Sequence, residues 1–258
     1  MFHLFKNKNP ECPVANDTRE WMEQAFLWLR DVFGEHNLKN KKILLPDEHC
    51  FPVVYDGSTE SVMKTLSIVS KQMDVEPDDI KLDYYSEGVN EIGSGGMGGS
   101  TVFIKSEEDS KRSSGKYYGK QEDGKYHISL EEENFKDPVA LVATLAHEIA
   151  HIKLLGEGRI ENNSEPLTDL TTVVFGLGIF NANSAFRFAS NFEKWEYKKL
   201  GYLTQIHWGY ALAIYAHLRE ENNPIWTKYL SETVKGNFKR SQHFISANQD
   251  RILQYPEV

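Results

Sequence analysis

Three residues near the middle of the chain could do chemistry together. His147, Glu148 and His151 stand in HEIAH, inside the stretch ATLAHEIAHIKLLGEGRIENNSEPLTDL. Two histidines at positions i and i+4 share one face of a helix and can grip one metal ion. A glutamate beside the first is placed to move a proton. Leu141, Val142, Leu145, Ile149, Ile152 and Leu155 surround them with a wide apolar surface at helical spacing. On a helix with such a surface, two imidazoles and a carboxylate need a reason, because each is costly to bury unpaired. A zinc ion, one Zn2+ per chain, supplies that reason.

The third ligand decides the class of site. Glu157, Glu161, Glu165 and Asp169 are the carboxylates that follow. Glu157 stands where a metzincin places its third histidine, but that pattern needs glycine at position 154 and this chain has Leu154. Glu165 and Asp169 form an ExxxD pair in EPLTD, one turn apart at the start of an expected second helix. The loop over 156–163 is long enough to bring that helix back antiparallel to the first. Glu165 then completes a set of two histidines and one glutamate, and Asp169 accepts the free ring N–H of a ligating histidine. The same spacing also permits the exchanged roles, with Asp169 as ligand and Glu165 outside.

HEIAH followed by ExxxD resembles the signature of the thermolysin-like gluzincins, zinc peptidases with a glutamate as third ligand. The likeness is specific over residues 143–169. A wider block, 140–218, resembles bacterial proteins with the same pairing and no known substrate. The spacing from His151 to Glu165 is shorter than in thermolysin itself, so the walls of that active site are not carried over. The resemblance implies a zincin-like fold, a peptide or protein substrate, and a donor to the tetrahedral oxyanion from a later segment. Tyr202, His207 and Tyr210 in GYLTQIHWGY are the candidates, Tyr202 and His207 ahead of Tyr210. Zincin-like enzymes also bind substrate along an edge strand before the motif helix, and KYHISL (125–130) stands in that place.

The chemistry these residues would support is hydrolysis. Zn2+ on His147, His151 and Glu165 leaves a fourth position for water and lowers its pKa, while Glu148 takes the proton and later delivers it to the leaving amine. The expectation is a zinc-dependent hydrolase, most simply a peptidase. The rival reading is a zinc-binding module with a regulatory or interaction role and no turnover.

The elements that must position these groups follow from periodicity. Residues 17–33 read as a helix capped by Asp17 or Thr18, with Trp21, Ala25, Trp28, Leu29 and Val32 on its apolar face. Residues 58–73 read as a second helix and 79–85 as a strand. The glycine-rich EIGSGGMGGS (91–100) fits no phosphate-binding pattern and reads as a loop, TVFIK (101–105) as a strand and 106–116 as a charged loop. YYGKQ and KYHISL flank an Asp-Gly turn and read as a hairpin. Asp137 and Pro138 start the motif helix over 139–155, and Gly156 and Gly158 end it. Further helices are expected from about 164 to 180, with TTVVFGLGIF as one buried helix, and at 203–220, 224–234 and 238–253. This is one α+β domain over 1–258, with an α/β part to about 136 and a helical part beyond it.

Composition narrows the partners. The 258 residues are 40% hydrophobic and carry a net charge of −9. Such a chain can build a large core, and its acidic balance speaks against nucleic acid. Neither Cys12 nor Cys50 lies in a CxxC pattern, so free thiols are expected and a thiolate zinc site has no support. With no signal-like leader and no run of eighteen apolar residues, a soluble, cytoplasmic protein without a membrane partner is expected.

Overall fold

The computed structural model describes residues 10–85, 115–191 and 203–254. Over these residues the chain is mixed α/β, mostly helical, with a small three-stranded mixed sheet. Three N-terminal helices come first: α1 (Asn16–Phe33), the short α2 (Glu35–Asn40) and α3 (Thr59–Gln72). The strands β1 (Ile80–Tyr85), β2 (Gly115–Lys120) and β3 (Tyr126–Glu131) follow. Then come α4 (Pro138–His151), α5 (Glu165–Val174), α6 (Gly178–Asn191), α7 (Gln205–Leu218) and α8 (Glu232–Ala247).

The sheet order is β1-β3-β2, with β1 parallel and β2 antiparallel to β3. β2 and β3 form the expected hairpin, and Gly124 takes φ +78 in its turn, which favours glycine. This order corrects one expectation. KYHISL is the central strand, paired on both sides, and β1 and β2 are the two edges among the described residues. Local alternation reports that a segment is a strand, whereas its neighbours depend on the whole topology. The predicted loop at 91–100 and strand at 101–105 lie outside the described residues, as does most of the loop at 106–116; its last two residues belong to β2.

Two apolar clusters build the interior. One joins α3, the sheet and α4 through Val62, Leu66, Ile128, Leu130, Leu141, Leu145 and Ile149. The other joins α1, α5, α7 and α8 through Phe26, Leu29, Leu170, Val173, Trp208, Ile214 and Phe238. The α5–α6 region serves both, since Phe175, Leu177 and Phe180 face the sheet side while Ile179 and Ala182 face the helical side. The Pro138–Gly156 stretch is apolar and long enough to cross a bilayer, yet 83% of it is buried inside the protein, as suits the central helix of a core.

Several boundaries differ from the sequence expectation. α1 starts at Asn16 after Ala15 with no side-chain cap, and Trp21 remains 39% exposed while Met22, Phe26 and Leu27 are buried. The face turns because Glu23 also goes inside, where Arg19, the Tyr210 hydroxyl and the Leu253 N–H donate to it. TTVVFGLGIF is not one helix. Gly176 takes φ +76 between α5 and α6, its carbonyl accepts the Leu44 N–H at 2.9 Å, and a Cβ there would collide with the Lys42 carbonyl. That close approach requires glycine and breaks the helix. Residues 225–229 form only a 3-10 turn, and α8 takes up the chain from Glu232.

Candidate metal centre

The site is built on α4. Asp137 caps the helix by accepting the Val139 and Ala140 N–H groups, and Pro138 occupies the first turn. His147, Glu148 and His151 are all buried. Past His151 the helix widens into a π-helical turn, Ile152–Gly156, closed by the Glu157 N–H on the Ile152 carbonyl. The chain then leaves through Gly158, whose φ is +68. Thus the helix ends without the glycine at 154 that a metzincin bend uses.

α5 returns along α4. Glu165 and Thr168 meet His151, Asp169 meets His147, and Asn181 of α6 donates to the Ala143 carbonyl. This stepwise pairing is that of antiparallel neighbours. Glu165 opens α5, where a carboxylate also suits the positive helix end.

The donor atoms converge. Glu165 Oε2 lies 2.9 Å from His147 Nε2 and 3.7 Å from His151 Nε2. One ligand atom from each of His147, His151 and Glu165 lies within 4.8 Å of the other two. Bonds of 2.0–2.1 Å in a tetrahedron set neighbouring donors about 3.3 Å apart. The observed separations bracket that spacing, and two imidazoles with one carboxylate are a donor set that suits zinc. The residues therefore fit a zinc ion.

Each donor is also held from behind. Asp169 Oδ1 lies 3.0 Å from His147 Nδ1, and its Oδ2 accepts the Leu203 N–H at 3.0 Å. Thr168 donates its hydroxyl to the Ser164 carbonyl, leaving Oγ1 to face His151 Nδ1 at 3.4 Å. Asn163 donates to Glu165 Oε1 at 2.7 Å, so that Oε2 faces the histidines. The Tyr117 ring stacks on His151, with centroids 5.9 Å apart and planes 10° from parallel.

The charges of the metal-free site follow. Burial alone would lower His147, but the hydrogen bonds and charges of Asp169 and Glu165 outweigh it and hold it well above its usual value. Burial and the His147 charge push His151 down to about 3. Burial works to raise Glu165, but its hydrogen bond to His147 and the neighbouring positive charge bring it down to about 2. A proton on His147 thus supplies the positive charge that a cation would bring. Burial pushes Glu148 up to about 7.

Other sequence candidates are placed as follows. Glu157 is paired with Lys153 at 2.6 Å and with Arg159, away from the donor group. Glu161 is exposed. Tyr210 is a core residue, its hydroxyl donating to Glu23 at 2.7 Å. His207 Nδ1 faces the Thr204 hydroxyl at 3.2 Å and accepts the Thr204 N–H, closing the first turn of α7. Tyr202 lies outside the described residues. Cys12 and Cys50 are free thiols.

Sequence reasoning missed Asn163, Thr168, the Leu203 N–H and the start of β2. Asn163 and Thr168 had a local signal, since they flank Glu165 at the start and on the face of α5. Gly115 and Tyr117 had none. A Cβ at Gly115 would lie 2.6 Å from Thr144 Cγ2 and 3.0 Å from Glu148 Oε1, so β2 runs directly against Glu148. Comparison with family models, curated proteins and solved structures finds no match to this chain.

Proposed function

We propose that this protein is a zinc-dependent hydrolase of gluzincin type, with a zincin-like fold and a peptide or protein as substrate. The observation that carries the reading is the meeting of His147, His151 and Glu165 around one point, with Glu148 beside it and Asp169 behind His147. Bound zinc supplies a Lewis acid and an acidified water. Glu148 would take a proton as the water oxygen adds to the carbonyl carbon, and would return it to the amine as the C–N bond breaks. Its burial holds it where a carboxylate can both accept and give up a proton near neutral pH. Asp169 fixes the His147 tautomer through Nδ1, leaving Nε2 for the metal. An extended substrate lies along β2, which of the two outer strands of the described sheet is the one against Glu148. The oxyanion-donor role stays with Tyr202 and His207 in this reading on the resemblance alone, Tyr202 lying outside the described residues and His207 closing the first turn of α7.

Metal analysis of protein purified without added zinc tests it, with about one equivalent expected per chain. Glu165→Ala loses that zinc and Asp169→Ala retains it when zinc is saturating; the reverse pattern makes Asp169 the ligand. Glu148→Gln keeps the metal and abolishes cleavage of a peptide library. The depth of His147, Glu148 and His151, at 9, 5 and 6% exposure, favours a second reading, a zinc-holding module without turnover. A zinc-loaded wild type that cleaves no peptide in the library selects that module.

A further inference from the structure

We propose that strand β2 positions the general base, with Gly115 as a positioning residue: its bare backbone sets the direction of the Glu148 carboxylate. The inference rests on the reading of Glu148 as base.

Three observations carry it. A Cβ at position 115 would stand 3.0 Å from Glu148 Oε1, 3.1 Å from Glu148 Cγ and 2.6 Å from Thr144 Cγ2. Carbon atoms in contact keep about 3.5–4.0 Å. Gly115 does not take a positive φ, so the constraint on the position is one of space: a Cβ there makes Thr144 or Glu148 shift. Thr144, one turn before Glu148 on α4, closes the other side of the same slot. Second, the Tyr117 ring, two residues on along β2, stacks on His151. One strand therefore touches both the base and a ligand. Third, β2 pairs regularly with β3 over Gly115–Tyr117 and its register shifts only between Tyr117 and Lys120. The regular part of the strand is the part that lies on the site, and the irregularity falls beyond it.

Glu148 is buried, and Gly115 and Thr144 narrow the space in which its carboxylate can turn. Such fixing is what makes a base effective, since a misplacement of about 1 Å can cost about 10²-fold in rate.

The test uses full-length, zinc-loaded protein. Gly115→Ala is expected to lower kcat about 10²-fold with KM little changed and zinc stoichiometry intact. Gly236→Ala, in α8 where an added Cβ meets no atom within 4 Å, is expected to leave kcat unchanged. A purely structural glycine would lower Tm and leave kcat below the transition alone, and that result overturns the proposal. A second arm needs no turnover. In 15N-edited spectra the Gly115 amide is expected to shift in Glu148→Ala and to shift far less in Glu148→Gln, which keeps the side chain against the strand. A Gly115 amide indifferent to Glu148→Ala overturns the proposal even if Gly115→Ala does not fold. If wild type cleaves no peptide, the hydrolase reading fails and the role of base with it, while the amide arm still decides whether β2 holds the Glu148 carboxylate.

Discussion

Asp169 joins three parts of the protein, and two substitutions there separate its duties. The carboxylate is 4% exposed and uses both oxygens, one for His147 Nδ1 and one for the Leu203 N–H, each at 3.0 Å. Asp169→Ala removes both acceptors. Loss of a partner behind a metal-bound histidine lowers metal affinity about 10–100-fold, or about 1.4–2.7 kcal/mol. The orphaned, buried Leu203 N–H lowers stability by a further ~1–3 kcal/mol, a separate effect visible without zinc. Asp169→Asn splits the two. A carboxamide offers one acceptor oxygen and one donor NH2. The Leu203 N–H claims the oxygen, so the NH2 faces His147 Nδ1 and forces that nitrogen to accept. The ring proton then moves to Nε2, which faces Glu165 and the metal position. Asp169→Asn is therefore expected to recover most of the stability lost in Asp169→Ala and none of the zinc affinity. Urea unfolding in EDTA reads the first quantity and chelator competition reads the second. Wild-type zinc affinity in Asp169→Asn would refute the tautomer argument. Equal instability of the two variants would refute the role given to Leu203.

Zinc uptake is expected to release protons. His147 is protonated in the metal-free site at neutral pH because Asp169 and Glu165 outweigh its burial, so zinc must displace that proton and binds more tightly as pH rises. Apparent affinity should climb about tenfold per pH unit while His147 stays protonated. Calorimetry at pH 7 in buffers of different ionisation enthalpy measures the release, and a flat affinity between pH 6 and 8 contradicts it. Glu148→Gln removes any share of that release from Glu148. Tyr210→Phe is expected to lower stability by about 1.5–3 kcal/mol, because the hydroxyl donates to the buried Glu23 carboxylate, and to leave zinc content and kcat unchanged. A large fall in kcat with unchanged urea midpoint would return Tyr210 to the reacting centre.

Much of this architecture was legible along the chain wherever the determining contacts are local. Ser58 caps α3 and Asp137 caps α4, as their positions before apolar runs indicate. The i, i+4 spacing of His147 and His151 puts both imidazoles on one face, and the ExxxD spacing puts Glu165 and Asp169 on another. The loop length from 156 to 163 then permits the hairpin that brings the faces together. These features depend on neighbours three to four residues away, which helix geometry places side by side.

Only the tertiary structure decided the rest. The strand against Glu148 is β2 and not β3, because sheet order arises from pairing among distant segments, which alternation along one strand cannot reveal. Gly176 breaks the apolar run 171–180 because the backbone at Lys42 and Ile43, far away in sequence, packs onto it. Tyr210 left the list of donors when Glu23 was carried inward with α1. The Leu203 N–H reached Asp169 across 34 residues of sequence. By itself the sequence determined which side chains share a helix face. The fold determined which carboxylate faces the histidines, which stands behind them, and which strand lies on Glu148. Those choices are made by packing between elements, and packing is a property of the assembled core.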